Sequence, residues 1–363
     1  ASTELAPVPD SHRSWDDLTP EQQALEARKM QVGAGMMTAA DEHIGRLLAH
    51  LEAAGELENT IVVITSDNGA EAAFTEFDGL TGLAVRLVEL IEGFDTSPDN
   101  LGQPGSLTSI GPEWASVSSA PFNLYKFYGS EGGLRVPLII HGPGISVSGI
   151  VDEPIHVADL APTLLEAAGV SYDADSFYGR SAFPILSGQA ESSRAEDEGF
   201  AFEVSGNAAL YRGNWKITRL APPRGDFQWR LYNLATDPGE TTDVSAANPE
   251  LFESMLAEYR SYSETVGVYE LGPDDSAFSQ LRSNLVDKAL GKYWPYLVGV
   301  LVLLAAVLYF IYRLIRRLVR TTRRSAASDP SSLPVSPSPV SPSPVSPSPD
   351  SGTSAGSATS TSK

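Results

Sequence analysis

Asp67 and Asn68 stand where an apolar run, Ile61-Val62-Val63-Ile64, gives way to small and polar residues, with Gly69-Ala70-Glu71 leading the chain away. Such an unbroken β-branched run predicts a strand buried on both faces, the kind found in parallel sheets. In open α/β sheets ligands collect outside the carboxyl ends of the strands, and the pair would fall there. An Asp carboxylate beside an Asn carbonyl offers two hard oxygens, which suit Ca²⁺ or Mg²⁺ better than a softer metal. Taken alone, the same residues also fit a plain Asx turn with no ligand.

The elements that would position this pair have a readable order. Residues 21 to 55 show helical spacing and end at Gly55, a glycine suited to a helix C-terminus. Asp16 and Asp17 precede Thr19-Pro20-Glu21-Gln22, a cap with proline at the first helical position, so they read as acids at a helix start. From Ala72 to Pro121 the chain is rich in Gly, Thr, Ser and Phe. One helix over Leu80 to Glu92 is expected there and loop elsewhere, a connection long enough to wall a pocket. Val136 to His141 predicts a second buried strand, closed by Gly142-Pro143-Gly144. Residues 158 to 168 predict a helix capped near Asp159 and stopped by Gly169. From Phe200 the grammar changes to short strands (Phe200 to Val204, Ala209 to Arg212, Trp215 to Arg219, Trp229 to Asn233) and a helix from Pro249 to Thr265. That pattern predicts a small antiparallel subdomain with a packed helix.

Four segments then carry a resemblance: Met30 to Met36 leading into Ala40 to Leu48, Leu124-Tyr125-Lys126 with Glu131-Gly132-Gly133-Leu134-Arg135-Val136-Pro137, His156 to Thr163, and Leu231 to Glu240. In type, order and spacing they resemble segments of the sulfatases of the alkaline-phosphatase superfamily, over roughly residues 1 to 270. The resemblance implies an α/β fold, part of an alkaline-phosphatase-like sulfatase sheet sandwiched by helices, followed by the small antiparallel α+β subdomain. It implies an arylsulfatase-type sulfuric ester hydrolase acting on sulfate monoesters with Ca²⁺ or another divalent cation. Asp67 and Asn68 are then expected as metal ligands. Lys126 is expected as a catalytic and substrate-binding residue, since an ammonium can bind a sulfate oxygen and stabilise charge as the S–O bond breaks. Gly132-Gly133 is expected to form a tight turn, and Arg135 an ion pair.

Sulfatases also carry a C/S-x-P-S/A-R signature whose Cys or Ser becomes the formylglycine nucleophile. This sequence has no cysteine, and its nearest serine string, Ser119-Ala120-Pro121-Phe122-Asn123, lacks the arginine. The expectation is therefore the C-terminal half of a sulfatase, inactive alone, its formylglycine lying in an N-terminal half that is a separate partner chain or a preceding stretch. The alternative is a non-catalytic pseudo-sulfatase at a surface. None of His12, His43, His50, His141 and His156 is expected to act in catalysis; His141 is expected at a buried hydrogen-bonding position.

Composition adds a compartment. Trp294 to Tyr312 is nineteen residues without a charge, flanked by aromatics, enough to cross about 30 Å of hydrocarbon. Arg313, Arg316, Arg317, Arg320, Arg323 and Arg324 follow with no acid before Asp329. Positive flanks stay in the cytoplasm, so residues 1–293 are expected to be extracytoplasmic on a single-pass membrane protein. Through Tyr312 the chain carries 18 basic against 44 acidic residues, an acidic field that excludes nucleic acid as a partner. Three Val-Ser-Pro-Ser-Pro units from Val335 to Pro349 predict an extended, solvated tail. The expected organisation is 1–198, the C-terminal part of a sulfatase catalytic domain; 199–270, the antiparallel subdomain; 271–293, a linker; 294–315, a transmembrane helix in contact with lipid; and 316–363, a basic then Pro/Ser-rich tail.

Overall fold

The computed structural model describes residues 5, 6, 8, 9, 12–72, 89–269, 271 and 277–327. Helix α1 runs Pro20–Ala53. The Gln22 amide donates to Thr19 Oγ1 at 3.3 Å while the Thr19 amide donates to Gln22 Oε1 at 2.9 Å, so two donors at the helix start are satisfied reciprocally. Gly55, at φ +74°, turns the chain out of the helix. Asp16 and Asp17 form a single exposed 3₁₀ turn with Trp15 ahead of that cap.

Strand β1, Val62–Thr65, leads to the Asp67-Asn68 corner. It pairs with β2, Leu138–His141, in antiparallel register, Val63 opposite Ile140. Its apolar residues are half-buried and Ile139 of β2 is exposed. The expected doubly covered, parallel-type strand is thus corrected: four β-branched residues indicate a strand but not which neighbour it takes. His141 is exposed rather than buried. Helix α2, Gly111–Ser119, lies in the stretch expected to be loop; Pro112 and Glu113 open it as a helix start does. Of the helix expected over Leu80 to Glu92, residues 89–92 are helical and 80–88 lie outside the described residues. Helix α3, Leu160–Ala167, follows a 3₁₀ turn and stops at Gly169, φ +67°.

Strands β3 (Phe200–Val204), β4 (Asn207–Arg212), β5 (Trp215–Arg219) and β6 (Trp229–Asn233) form an antiparallel meander in that order. Alternation gives the sheet two faces. Ala201, Ala208, Leu210, Ile217 and Leu231 pack on Met255, Leu256 and Tyr259 of helix α4, Pro249–Val266. Burying each large side chain there is worth about 1.5–3 kcal/mol. The opposite face is also covered: Phe200, Ala209 and Tyr211 meet Leu134, next to the Glu131-Gly132-Gly133 segment. Helix α5, Ala277–Ala327, contains most of the stretch expected as a linker and includes Leu290–Arg320, long and apolar enough by length and composition to cross a membrane. The Val-Ser-Pro tail lies outside the described residues.

Candidate functional site

Beyond β1 the backbone turns at Ser66, whose hydroxyl donates to the Asn68 carbonyl at 2.9 Å. The Gly69 amide then donates to the Gly133 carbonyl at 3.2 Å, and the Ala70 carbonyl accepts from the Lys126 amide at 3.1 Å. These two bonds join the Asp67-Asn68 corner to the segment bearing Lys126. A Cβ on Gly69 would collide with the Gly132 carbonyl oxygen; one on Gly132 would strike the Asn123 and Leu124 carbonyls, and one on Gly133 the Tyr128 carbonyl. Gly132 and Gly133 lie in one helical turn, Glu131–Leu134, so the tight turn expected of them is corrected: both are needed for close backbone approach.

Asp67 is exposed, Asn68 half-buried, and among the described residues neither side chain has a hydrogen bond or ion pair. An uncommitted carboxylate beside an uncommitted amide oxygen fits part of a hard-cation site. Among the described residues no three of His, Cys, Asp and Glu converge to complete one. Lys126, by contrast, is committed: its Nζ lies 2.5 Å from Glu71 Oε2, with both side chains about a third exposed (31% and 40%). Leu124 and Phe127, on either side, have φ of 56° and 80°. Each left-handed non-glycine residue costs on the order of 1–3 kcal/mol, so the surroundings must hold this turn in place.

The meander does the holding. Asn207 Nδ2 donates to the Phe127 carbonyl at 2.8 Å, and Thr218 Oγ1 to the Gly129 carbonyl at 3.2 Å. Behind them lies a buried charged cluster. Lys216 Nζ is 2.9 Å from Glu131 Oε1 and 2.8 Å from Glu240 Oε1, Tyr211 donates to Glu131 Oε1 at 2.6 Å, and the Glu131 amide donates to Glu240 Oε2 at 2.7 Å. Burial alone would raise the Glu131 carboxyl, but the Lys216 ammonium, the Tyr211 hydroxyl and Arg135 hold it below its usual value. Burial and the Glu131 charge push Glu240 up to about 7 against the pull of Lys216. The two carboxylates outweigh burial at Lys216 and keep it above its ordinary range. Arg135 stands 3.7 Å from Glu131 Oε2 and covers the Phe122 ring, in line with a structural ion pair.

Sequence reading missed this cluster. Glu131 and Glu240 were visible only as letters of separate segments. The available signal was Lys216 itself, a lysine alternating with Trp215 and Ile217 inside a strand. A second buried pair, Arg194 bidentate on Asp159 at 2.6 and 2.9 Å, fastens the segment before β3 to the start of α3. His156 caps the 3₁₀ turn that leads into α3, its Nδ1 accepting from the Ala158 amide at 2.9 Å, and burial lowers its pKa. His12 stacks on Tyr125, while His43 and His50 are exposed on α1. None of the five histidines adjoins Asp67, Asn68 or Lys126 through a hydrogen bond or ring contact among the described residues.

Comparison with known proteins follows this layout. The family model described as Sulfatase matches residues 3–170. An uncharacterized sulfatase of Schizosaccharomyces pombe is 33% identical over 273 residues, covering 72% of this chain and 48% of that protein. An arylsulfatase of Klebsiella aerogenes is 41% identical over 160 residues, covering 44% of this chain and 33% of that protein. The chain thus spans less than half the length of these curated relatives. The crystal structure of Ps i-CgsB in complex with k-i-k-neocarrahexaose aligns at 23% identity and a TM-score of 0.47, over 72% of this chain and 48% of that one.

Proposed function

The chain belongs to the sulfatase family, and from that premise we propose that it supplies the Asp67, Asn68 and Lys126 side of a metal-assisted, arylsulfatase-type sulfate-monoester hydrolase anchored to a membrane. The observation that carries this reading is the pair of backbone bonds, Gly69 to Gly133 and Lys126 to Ala70, which fixes the two oxygen donors and the ammonium on adjoining turns. Asp67 and Asn68 would hold a divalent cation, Ca²⁺ by family habit. When bound, such an ion supplies positive charge that orients sulfate oxygens and polarises the ester. Lys126 would exchange Glu71 for a sulfate oxygen and stabilise the charge that grows as the S–O bond opens.

Two oxygens are fewer than the roughly six to eight that Ca²⁺ takes, so other donors must join them. The nucleophile must come from outside these 363 residues as well, since they hold no cysteine and no Ser-x-Pro-x-Arg string. Formylglycine in an N-terminal sulfatase half fits that requirement, and a sulfate ester is the substrate. The six arginines after the apolar stretch of α5 support an extracytoplasmic 1–293 and a cytoplasmic tail.

The test is expression of this chain in membranes, alone and with an N-terminal sulfatase half, assayed on an aryl sulfate with and without Ca²⁺. The chain alone is expected to be inactive and the pair active, with Asp67→Ala abolishing both metal retention and turnover. Turnover by the chain alone would mean that the nucleophile lies within it. Inactivity of a correctly assembled pair would favour the pseudo-sulfatase, and unchanged metal content in Asp67→Ala would remove Asp67 from the site.

A further inference from the structure

Helix α5 does not end where its uncharged stretch ends. Nineteen residues, Trp294 to Tyr312, rise about 28 Å at 1.5 Å per residue, close to the hydrocarbon thickness of a bilayer. The helix then continues unbroken to Ala327. Within that extension Arg313, Arg316, Arg317 and Arg320 recur at i, i+3, i+4 and i+7. Leu314, Ile315, Leu318 and Val319 fall on the opposite side, each about half exposed. Two guanidinium groups lie over tyrosines one turn back, Arg313 over Tyr309 at 5.8 Å and Arg316 over Tyr312 at 5.9 Å. Tyrosines at this depth belong to the interfacial layer, which places these arginines at the level of lipid phosphates.

We propose that this arginine stripe, residues 313–320 of α5, is a binding surface for the phosphate groups of anionic membrane lipids, resting on the membrane span proposed above but not on sulfatase chemistry. A topological signal needs only net positive charge near the end of the span. Here the charge is sorted onto one face, with an apolar face opposite that can stay in the acyl layer. All four of its cations are arginine, the side chain whose planar fork matches phosphate oxygens two at a time. A helix tilted toward its apolar side would keep Leu314, Ile315 and Leu318 in lipid and lay the arginines along the headgroups.

The full chain would be reconstituted in vesicles of phosphatidylcholine mixed with phosphatidylglycerol, re-extracted, and its co-purifying lipids counted. Phosphatidylglycerol is expected to be enriched over phosphatidylcholine about tenfold, an enrichment that falls with added salt. The variant with Arg313, Arg316, Arg317 and Arg320 all changed to Gln should lose it, and the corresponding Lys variant should keep a part. Inorganic phosphate at matched concentration should not displace the lipid, because a membrane presents many phosphates at once. Equal lipid ratios for native chain and Gln variant, or full displacement by inorganic phosphate, would overturn the assignment. Release of the native chain by alkaline washing would instead sink the span itself, a separate failure read before any lipid is counted.

Discussion

Lys126 and Lys216 both face glutamates, and their surroundings give them opposite uses. Lys216 is fully buried between Glu131 and Glu240, which are buried with it, and its ammonium also lies 4.8 Å from the Tyr211 ring centre. Lys126 has one carboxylate partner and a side chain about a third exposed. A partly exposed pair like Lys126–Glu71 is worth about 0–1 kcal/mol, so an anion could displace Glu71 at little cost. A buried pair stabilises only as a complete set, because removing one member strands the other charges away from water. Burial therefore separates a lysine that can change partners from one that fixes a shape. The second kind serves the first: the Lys216 cluster ties β5 to Glu131, whose turn carries Gly133, and Gly133 bonds to the turn bearing Asp67.

The sharpest way to break this contrast is Lys216→Met, which keeps the bulk and removes the charge. Two facing carboxylates would be left buried with only the half-exposed Arg135 guanidinium beside one of them, and a loss of about 3–5 kcal/mol is expected. Urea denaturation of the chain in detergent, followed by tryptophan fluorescence, measures it. Adding Glu131→Gln and Glu240→Gln to Lys216→Met should recover most of the loss, since the two amides can hydrogen-bond to each other and to the Tyr211 hydroxyl beside the uncharged thioether. A loss under about 1 kcal/mol for the single variant would place Lys216 with Lys126 and erase the distinction.

A smaller effect is expected from pH. Glu240 is raised from 4.5 to about 7 in the folded chain, so folding takes up a proton between those values. A raised folded value contributes stability that is complete below about 4.5 and is lost as pH rises through about 7. With Glu240 protonated, Glu131 and Lys216 balance; its ionisation leaves the cluster with excess negative charge. Stability should therefore fall as pH rises from about 4.5 to about 7 and level off above that, and Glu240→Gln should flatten that slope. A Glu240→Gln curve parallel to the native one would assign the titration elsewhere.

What the sequence made legible divides along the same line, between local and distant partners. Strands β3, β5 and β6 were readable to the residue because alternation and turn residues such as Ser205-Gly206 and Gly213-Asn214 are local signals. The Thr19–Gln22 capping box was readable for the same reason. The partner of β1 was not, since a β-branched run describes its own two faces and not its neighbour. Gly132 and Gly133 were misread as a turn because the carbonyls that exclude a side chain belong to residues 123–128. Glu131, Lys216 and Glu240 come from three separate stretches, and no pattern within any one announces the other two. Asp67 and Asn68 were singled out by their place at the end of a strand, and Lys126 through motif resemblance. Their adjacency follows from the hydrogen bonds of Ala70 and Gly69.

The smallest expected effect on the fold is at Lys126 itself. Lys126→Met removes an ion pair whose members are about a third exposed, and its backbone bond to Ala70 does not depend on the side chain. The change in unfolding free energy should stay within about 1 kcal/mol. If the exchange of Glu71 for sulfate is right, turnover in the assembled enzyme should nonetheless fall by about 10²–10³-fold, the usual cost of losing one charge-stabilising donor. Glu71→Gln separates the two roles further. It frees the ammonium without removing it, so stability should barely change while the KM for a sulfate ester falls, because substrate no longer competes with a fixed carboxylate. A rise in KM for Glu71→Gln would mean that Glu71 holds Lys126 in its working position, and the exposed pair would then be a positioning device like its buried counterpart.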